Sequence, residues 1–165
     1  MYQRILVPVD GSATSDAGLA EATQLARLTG AQLRLLHVVD DMPMIMSGDT
    51  MVAMAGDVFD LLRKNGERVL QAACTRVKAA GIAVDTKLYD SFDGRLSDRV
   101  VQEVAEWPAD LIVLGTHGRR GVGRMLLGSD AEQVLRRATV PVLLVRSGAD
   151  TAVETAAQPS AARSP

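Results

Sequence analysis

Five short apolar runs, at residues 5–9, 33–39, 82–89, 111–114 and 140–145, are separated by stretches in which apolar residues recur at helical spacing. Runs this short, rich in Val, Leu and Ile, read as strands. Between them, Leu19, Ala22, Leu25 and Ala26 share one helical face over about residues 12–29. Leu62, Val69, Ala73, Val77 and Ala80 do so over about 57–80, and Leu96, Val100, Val101 and Val104 before a stop near Trp107 and Pro108. Ala131, Val134, Leu135 and Ala138 line a last helix. Gly30 and Gly81 fall where helices end. Strict alternation of strand and helix predicts an α/β chain with an open, mainly parallel sheet. Residues 82–89 alternate more weakly and are expected near a sheet edge. One domain over residues 1–146 is expected. The tail, 147–165, is rich in Ala, Ser, Thr and Pro without periodicity and is expected to be disordered.

Composition narrows the class. The chain has 165 residues, 47% of them apolar but only 3% aromatic, so the core must be built from aliphatic side chains. A formal charge of −2 does not indicate a nucleic-acid surface. No apolar run is long enough to cross a membrane. With a strand beginning almost at once after Met1, no signal peptide is expected, and Cys74, the single cysteine, excludes an internal disulfide. A cytoplasmic protein is the expectation. Cys74 falls on the apolar stripe of the long helix and is read as buried and inert.

Function is carried by the segment after the fourth strand: Gly115, Thr116, His117, Gly118, Arg119, Arg120, Gly121, Val122, Gly123, Arg124, and on to Gly128 and Ser129. Glycine lets backbone N–H groups approach a bulky anion. A strand, a glycine-rich turn and a helix N-terminus together can cradle phosphate. The segment is not a P-loop, because no Gly-Lys-Ser/Thr follows, and not a dinucleotide fingerprint, because Gly121 and Gly123 lack a third glycine. Arg119, Arg120 and Arg124 can neutralise phosphates or simply decorate a solvated loop. Ser129 and Glu132 also read as a capping box, with Ser129 at the N-cap.

Two glycines separated by two residues, nine further residues, then Gly-Ser is the pattern of Gly115, Gly118, Gly128 and Ser129. With Pro8, Val9 and Asp10 closing the first strand, the chain resembles the ATP-binding class of the universal stress protein family over residues 1–146. The resemblance implies five parallel strands in the order 3-2-1-4-5, with helices on both faces. Strands 1 and 4 are then neighbours whose connections diverge, which opens a crevice at their carboxyl ends. It further implies an adenine nucleotide, ATP, held between those ends, with magnesium as a possible companion. Pro8, Val9 and Asp10 would line the site, and Asp10 would meet the ribose–phosphate region or the metal. The backbone of Val38 would recognise the adenine edge. Leu114, Gly115, His117, Gly118 and Arg119 would form the loop wall. Gly128, Ser129, Asp130 and Ala131 would hold phosphate oxygens. A homodimer paired through the last strand, from Val140 to Val145, is implied as well.

Other readings stand beside this one. Asp10 with Gly11 is also an ordinary turn former. His37 reads as packed at a strand end, and His37 and His117 alone do not make a zinc centre. Asp130 departs from the apolar residue common in similar proteins; it can repel phosphate, recruit a cation or point outward. Five of the seven methionines, Met42, Met44, Met46, Met51 and Met54, crowd the segment after the second strand, as a loose lid or an adaptable partner surface. The main expectation is a nucleotide-binding stress regulator rather than an efficient enzyme. The alternatives are a nucleotide-free homodimer of the same fold and a slow ATPase. The regulatory partner is not named by the sequence.

Overall fold

A computed structural model describes residues 1–39, 52–90, 94–116 and 128–146, with only the backbone of 52–57. The element order is β1 (Arg4–Pro8), α1 (Ala13–Thr29), β2 (Gln32–Val38), α2 (Val52–Ala79), β3 (Val84–Tyr89), α3 (Leu96–Glu106), β4 (Leu111–Gly115), α4 (Ser129–Arg137) and β5 (Val142–Val145). All strand pairs are parallel, in the order β3-β2-β1-β4-β5. Periodicity could not have supplied that order; the family resemblance did.

The sheet is covered on both faces, which is why its inner strands read as unbroken apolar runs. Alternate residues serve opposite layers. Ile5, Val7, Leu33, Leu35, Leu111 and Val113 pack with Leu19, Ala22, Ala26, Leu70, Ala73, Cys74 and Val77 of α1 and α2. Leu6, Leu36, Ile112 and Leu114 pack with Val100, Val104, Ala131 and Val134 of α3 and α4. Cys74 is buried, as expected.

Three expectations change. Leu135 is 46% exposed, because Ala131 and Val134 already fill the inward face of α4 and position 135 lies about 100° further round. β5 begins at Val142 rather than Val140, although the Pro141 carbonyl still accepts a bond from the Ile112 N–H at 3.0 Å. The long helix α2 starts at Val52, earlier than the apolar stripe suggests, and so takes in Met54. The rest of the methionine-rich stretch, the loop residues 117–127 and the tail 147–165 lie outside the described residues.

A polar cluster ties α3 to the β2–β3 side of the sheet. Arg34 grips Asp85 with two bonds, at 2.8 and 2.7 Å, and reaches Glu103 at 3.1 Å. The fully buried Glu103 also accepts from the Tyr89 hydroxyl at 3.1 Å. The Arg34 guanidinium stands over the Trp107 ring, 4.6 Å from its centroid. A buried carboxylate is tolerable only with such partners.

Candidate functional site

The carboxyl end of β1 is built by short-range hydrogen bonds. Asp10 Oδ1 accepts from the Ser12 N–H at 2.9 Å, an Asx turn. Ser12 then caps α1, its Oγ accepting from the Ser15 N–H at 3.2 Å. Such a cap is worth about 1 kcal/mol. Ser15 Oγ in turn accepts from the Asp10 N–H at 3.1 Å. The carboxylate is therefore oriented by the helix it precedes, so the turn-former reading of Asp10 holds whatever else the residue does. Ser12, Thr14 and Ser15 were not singled out by the sequence, although a hydroxyl-rich run after Asp-Gly is a capping signal.

The first turn of α1 lies directly against the end of β4. A Cβ on Gly115 would stand 2.6 Å from the carbonyl carbon and oxygen of Thr14, and one on Gly18 would stand 3.3 Å from the Gly115 nitrogen. Gly115 thus has a packing reason to be glycine, independent of any phosphate. Leu114 is buried with its side chain in the α3–α4 layer, so only its backbone faces the strand end.

Beyond β4, the Thr116 N–H donates to the Val145 carbonyl at 2.9 Å. The Thr116 carbonyl accepts from the Gly128 N–H at 2.8 Å. The chain leaves the sheet at Thr116 and returns to the same point at Gly128. His117, Gly118 and Arg119, with Arg120 and Arg124, fall in the span between, outside the described residues. Gly128, not Ser129, is the N-cap of α4, which overturns the capping-box reading. Gly128 is already extended (φ −57°, ψ 145°), so the helix starts at Ser129, and Glu132 pairs with Arg136 at 2.8 Å instead of reaching back. The first-turn amides of Ser129, Asp130 and Ala131 have no intrahelical acceptors, and the helix dipole makes this end positive. Ser129 and Asp130 are exposed, while Ala131 is buried.

On the other side of β1, Val9 donates its N–H to the Leu36 carbonyl at 2.8 Å. Its carbonyl meets Nδ1 of the buried His37 at 2.6 Å. His37 is thus packed at a strand end, as expected, and Val38 beside it is half-buried. Pro8, Val9, Asp10, Val38, Leu114, Gly115 and Gly128–Ala131 therefore all fall at the carboxyl end of the sheet. A groove of about 510 Å³ opens beside Gly11 between α1 and α2, lined by Val9, Val69, Ala73, Arg68, Arg76 and Asp16. Among the described residues, no group of three His, Cys, Asp or Glu side chains could hold a metal ion. Among the same residues, no helix is long and apolar enough to cross a membrane.

An open parallel sheet whose first and fourth strands adjoin, with connections leaving to opposite faces, defines the class of α/β proteins with a crevice at the switch point. The family model for the universal stress protein family matches residues 1–146, and the chain belongs to that family. A universal stress protein of Methanocaldococcus jannaschii is 31% identical over 146 residues, spanning 88% of this chain and 83% of the relative. The solved universal stress protein UspA from Lactobacillus plantarum is similar with a TM-score of 0.76 at 26% identity, covering 88% of this chain and 98% of that one. A universal stress protein crystallised in complex with cAMP is similar with a TM-score of 0.63 at 27% identity, covering 89% and 98%.

Proposed function

We propose that this chain binds ATP as a regulatory ligand in the crevice between the carboxyl ends of β1 and β4. The observation that carries the reading is the convergence of two segments about a hundred residues apart. The Asp10 turn leads into α1, whose first turn packs on Gly115, and the chain returns to Thr116 just where the first turn of α4 begins. Oriented donors at a helix N-terminus favour phosphate. In this reading the amides of Ser129, Asp130 and Ala131 take phosphate oxygens, with Gly118, His117 and Arg119 closing over them. Asp10 would face the ribose–phosphate region or supply one carboxylate oxygen to a magnesium ion. The backbone of Val38 meets the adenine edge. The relative crystallised with cAMP supports an adenine nucleotide as the ligand class. Occupancy would reshape the surface of residues 115–129 and so alter contact with a regulatory partner.

We propose further that the chain is a homodimer through β5. Among the described residues that strand pairs only with β4, and all four of its apolar residues are half-buried at a sheet edge.

A second reading, a nucleotide-free homodimer, draws on Gly115, whose identity packing alone explains. Mass spectrometry of small molecules retained by the purified, undenatured protein, followed by calorimetric titration with ATP, AMP and cAMP, separates the two. A retained adenine nucleotide and saturable binding are expected. No uptake of any of the three would favour the second reading, and steady release of ADP from ATP would favour a slow ATPase.

A further inference from the structure

His37 and Gly66 form a contact that the nucleotide reading does not use. The imidazole is buried against the end of β1, and its Nδ1 lies 2.6 Å from the Val9 carbonyl oxygen. A carbonyl only accepts, so Nδ1 carries the proton. The Val9 N–H is already held by the Leu36 carbonyl at 2.8 Å. β2 therefore grips the last buried residue of the β1 segment from both sides, immediately before Asp10. On the far side of the ring stands α2. A Cβ on Gly66 would fall 2.7 Å from His37 Cδ2 and 3.1 Å from Nε2. Glycine in a helix interior is less favourable than alanine. Here it admits an imidazole that would otherwise be displaced.

We propose that His37 is a positioning residue of the nucleotide site and that Gly66 is the point at which α2 reaches that site. The ring fixes the Val9–Asp10 peptide, and with it the backbone on which the Asp10 turn is built. Displacing α2 by a fraction of an ångström at Gly66 would push on the ring and loosen the strand end. α2 thus has a short mechanical route to the ligand: α2, Gly66, His37, Val9, Asp10. This inference rests on the nucleotide reading.

The test is a cycle of Gly66→Ala, His37→Ala and their combination, with His37→Asn as the conservative variant. Asn places an N–H close to the position of Nδ1. ATP affinity is read by calorimetry, and amide exchange of Asp10 and Ser12 is read in nucleotide-free protein. Loss of one positioning hydrogen bond predicts that Gly66→Ala and His37→Ala each weaken ATP binding by roughly tenfold. Both should speed exchange at Asp10. The double variant should bind no more weakly than His37→Ala alone, because the methyl then meets only Leu88 Cδ1, at 3.1 Å, the end of a flexible side chain that can give by a few tenths of an ångström. His37→Asn should stay within about threefold of wild type, since the donor is kept. Additive losses in the cycle, or unchanged exchange and affinity in a folded Gly66→Ala protein, would overturn the proposal. If wild type takes up no nucleotide, the site assignment falls. The exchange data then still decide whether His37 holds the strand end.

Discussion

Replacing Gly115 by alanine probes the contact on which the site geometry depends. The new Cβ would stand 2.6 Å from the Thr14 carbonyl carbon and oxygen and 2.9 Å from the Ser15 nitrogen. Favourable carbon contacts lie at about 3.5–4.0 Å, so roughly 1 Å of separation must be found. The obstacle is backbone in the first turn of a capped helix, which cannot rotate aside as a side chain would. Overpacking costs about 1–3 kcal/mol, and more where backbone has to move, so about 2–4 kcal/mol is expected. At about 2–4 °C per kcal/mol for a domain of this size, Tm should fall by about 5–15 °C. Gly18→Ala is the control. Its Cβ would sit 3.3 Å from the Gly115 nitrogen, a contact that needs a shift of only a few tenths of an ångström. Alanine in mid-helix returns about 1 kcal/mol, so Gly18→Ala should melt within about 3 °C of wild type. Both are measured by thermal circular dichroism without nucleotide. If Gly115→Ala melts with wild type, packing on α1 is not what demands glycine there, and the reasoning fails.

Asp130→Val should tighten ATP binding several-fold in chelator, because a like charge about 6 Å from phosphate is removed from an exposed, salt-screened position. If a magnesium ion bridges Asp130 and phosphate, the variant binds more weakly, and only when magnesium is present; calorimetry in both buffers reads the sign. Burial, followed by the charge of Glu103, pushes the Tyr89 hydroxyl up to about 12. The folded state then holds a proton that the unfolded chain releases near pH 10, so this stabilisation is complete below about pH 10 and is lost as pH rises through about 12. Tyr89→Phe should accordingly flatten the alkaline fall in urea-unfolding stability across that window. Leu144→Asp should shift a dimer towards monomer in sedimentation at tens of micromolar protein, because the carboxylate would be placed on the half-buried edge strand; circular dichroism checks folding, since Leu144 also packs against the α3–α4 layer, and an unchanged mass would remove β5 from the interface.

Local patterns were legible in the sequence; contacts between distant residues were not. The strands could be read because both faces of the sheet are covered, so Leu35 and Leu36 are both buried and the run is unbroken. The Asp10 turn was visible in Asp-Gly, but its bond from Ser12 and the Ser15 hydroxyl on its own amide depend on where α1 begins. Gly115 was assigned to a ligand because its steric partner, Thr14, lies far away along the chain. Ser129 and Glu132 had capping-box spacing, yet the helix starts one residue earlier than that spacing suggests, and Glu132 found Arg136. Nothing in the sequence singles out Glu103; only the fold brings Arg34 and Tyr89 to it. For His37, a strand-end position was readable, but its bond to Val9 was not.

If ATP sits where β1 and β4 end, binding must protect the backbone there. Hydrogen exchange followed by mass spectrometry, on the full chain with and without saturating ATP and magnesium, tests it most directly. Slowed exchange is expected in peptides covering residues 9–12 and 114–132, with little change in the middle of α1 and α3. Protection confined to α2 and the groove lined by Arg68 and Arg76, or no protection under conditions where ATP binds, would contradict it.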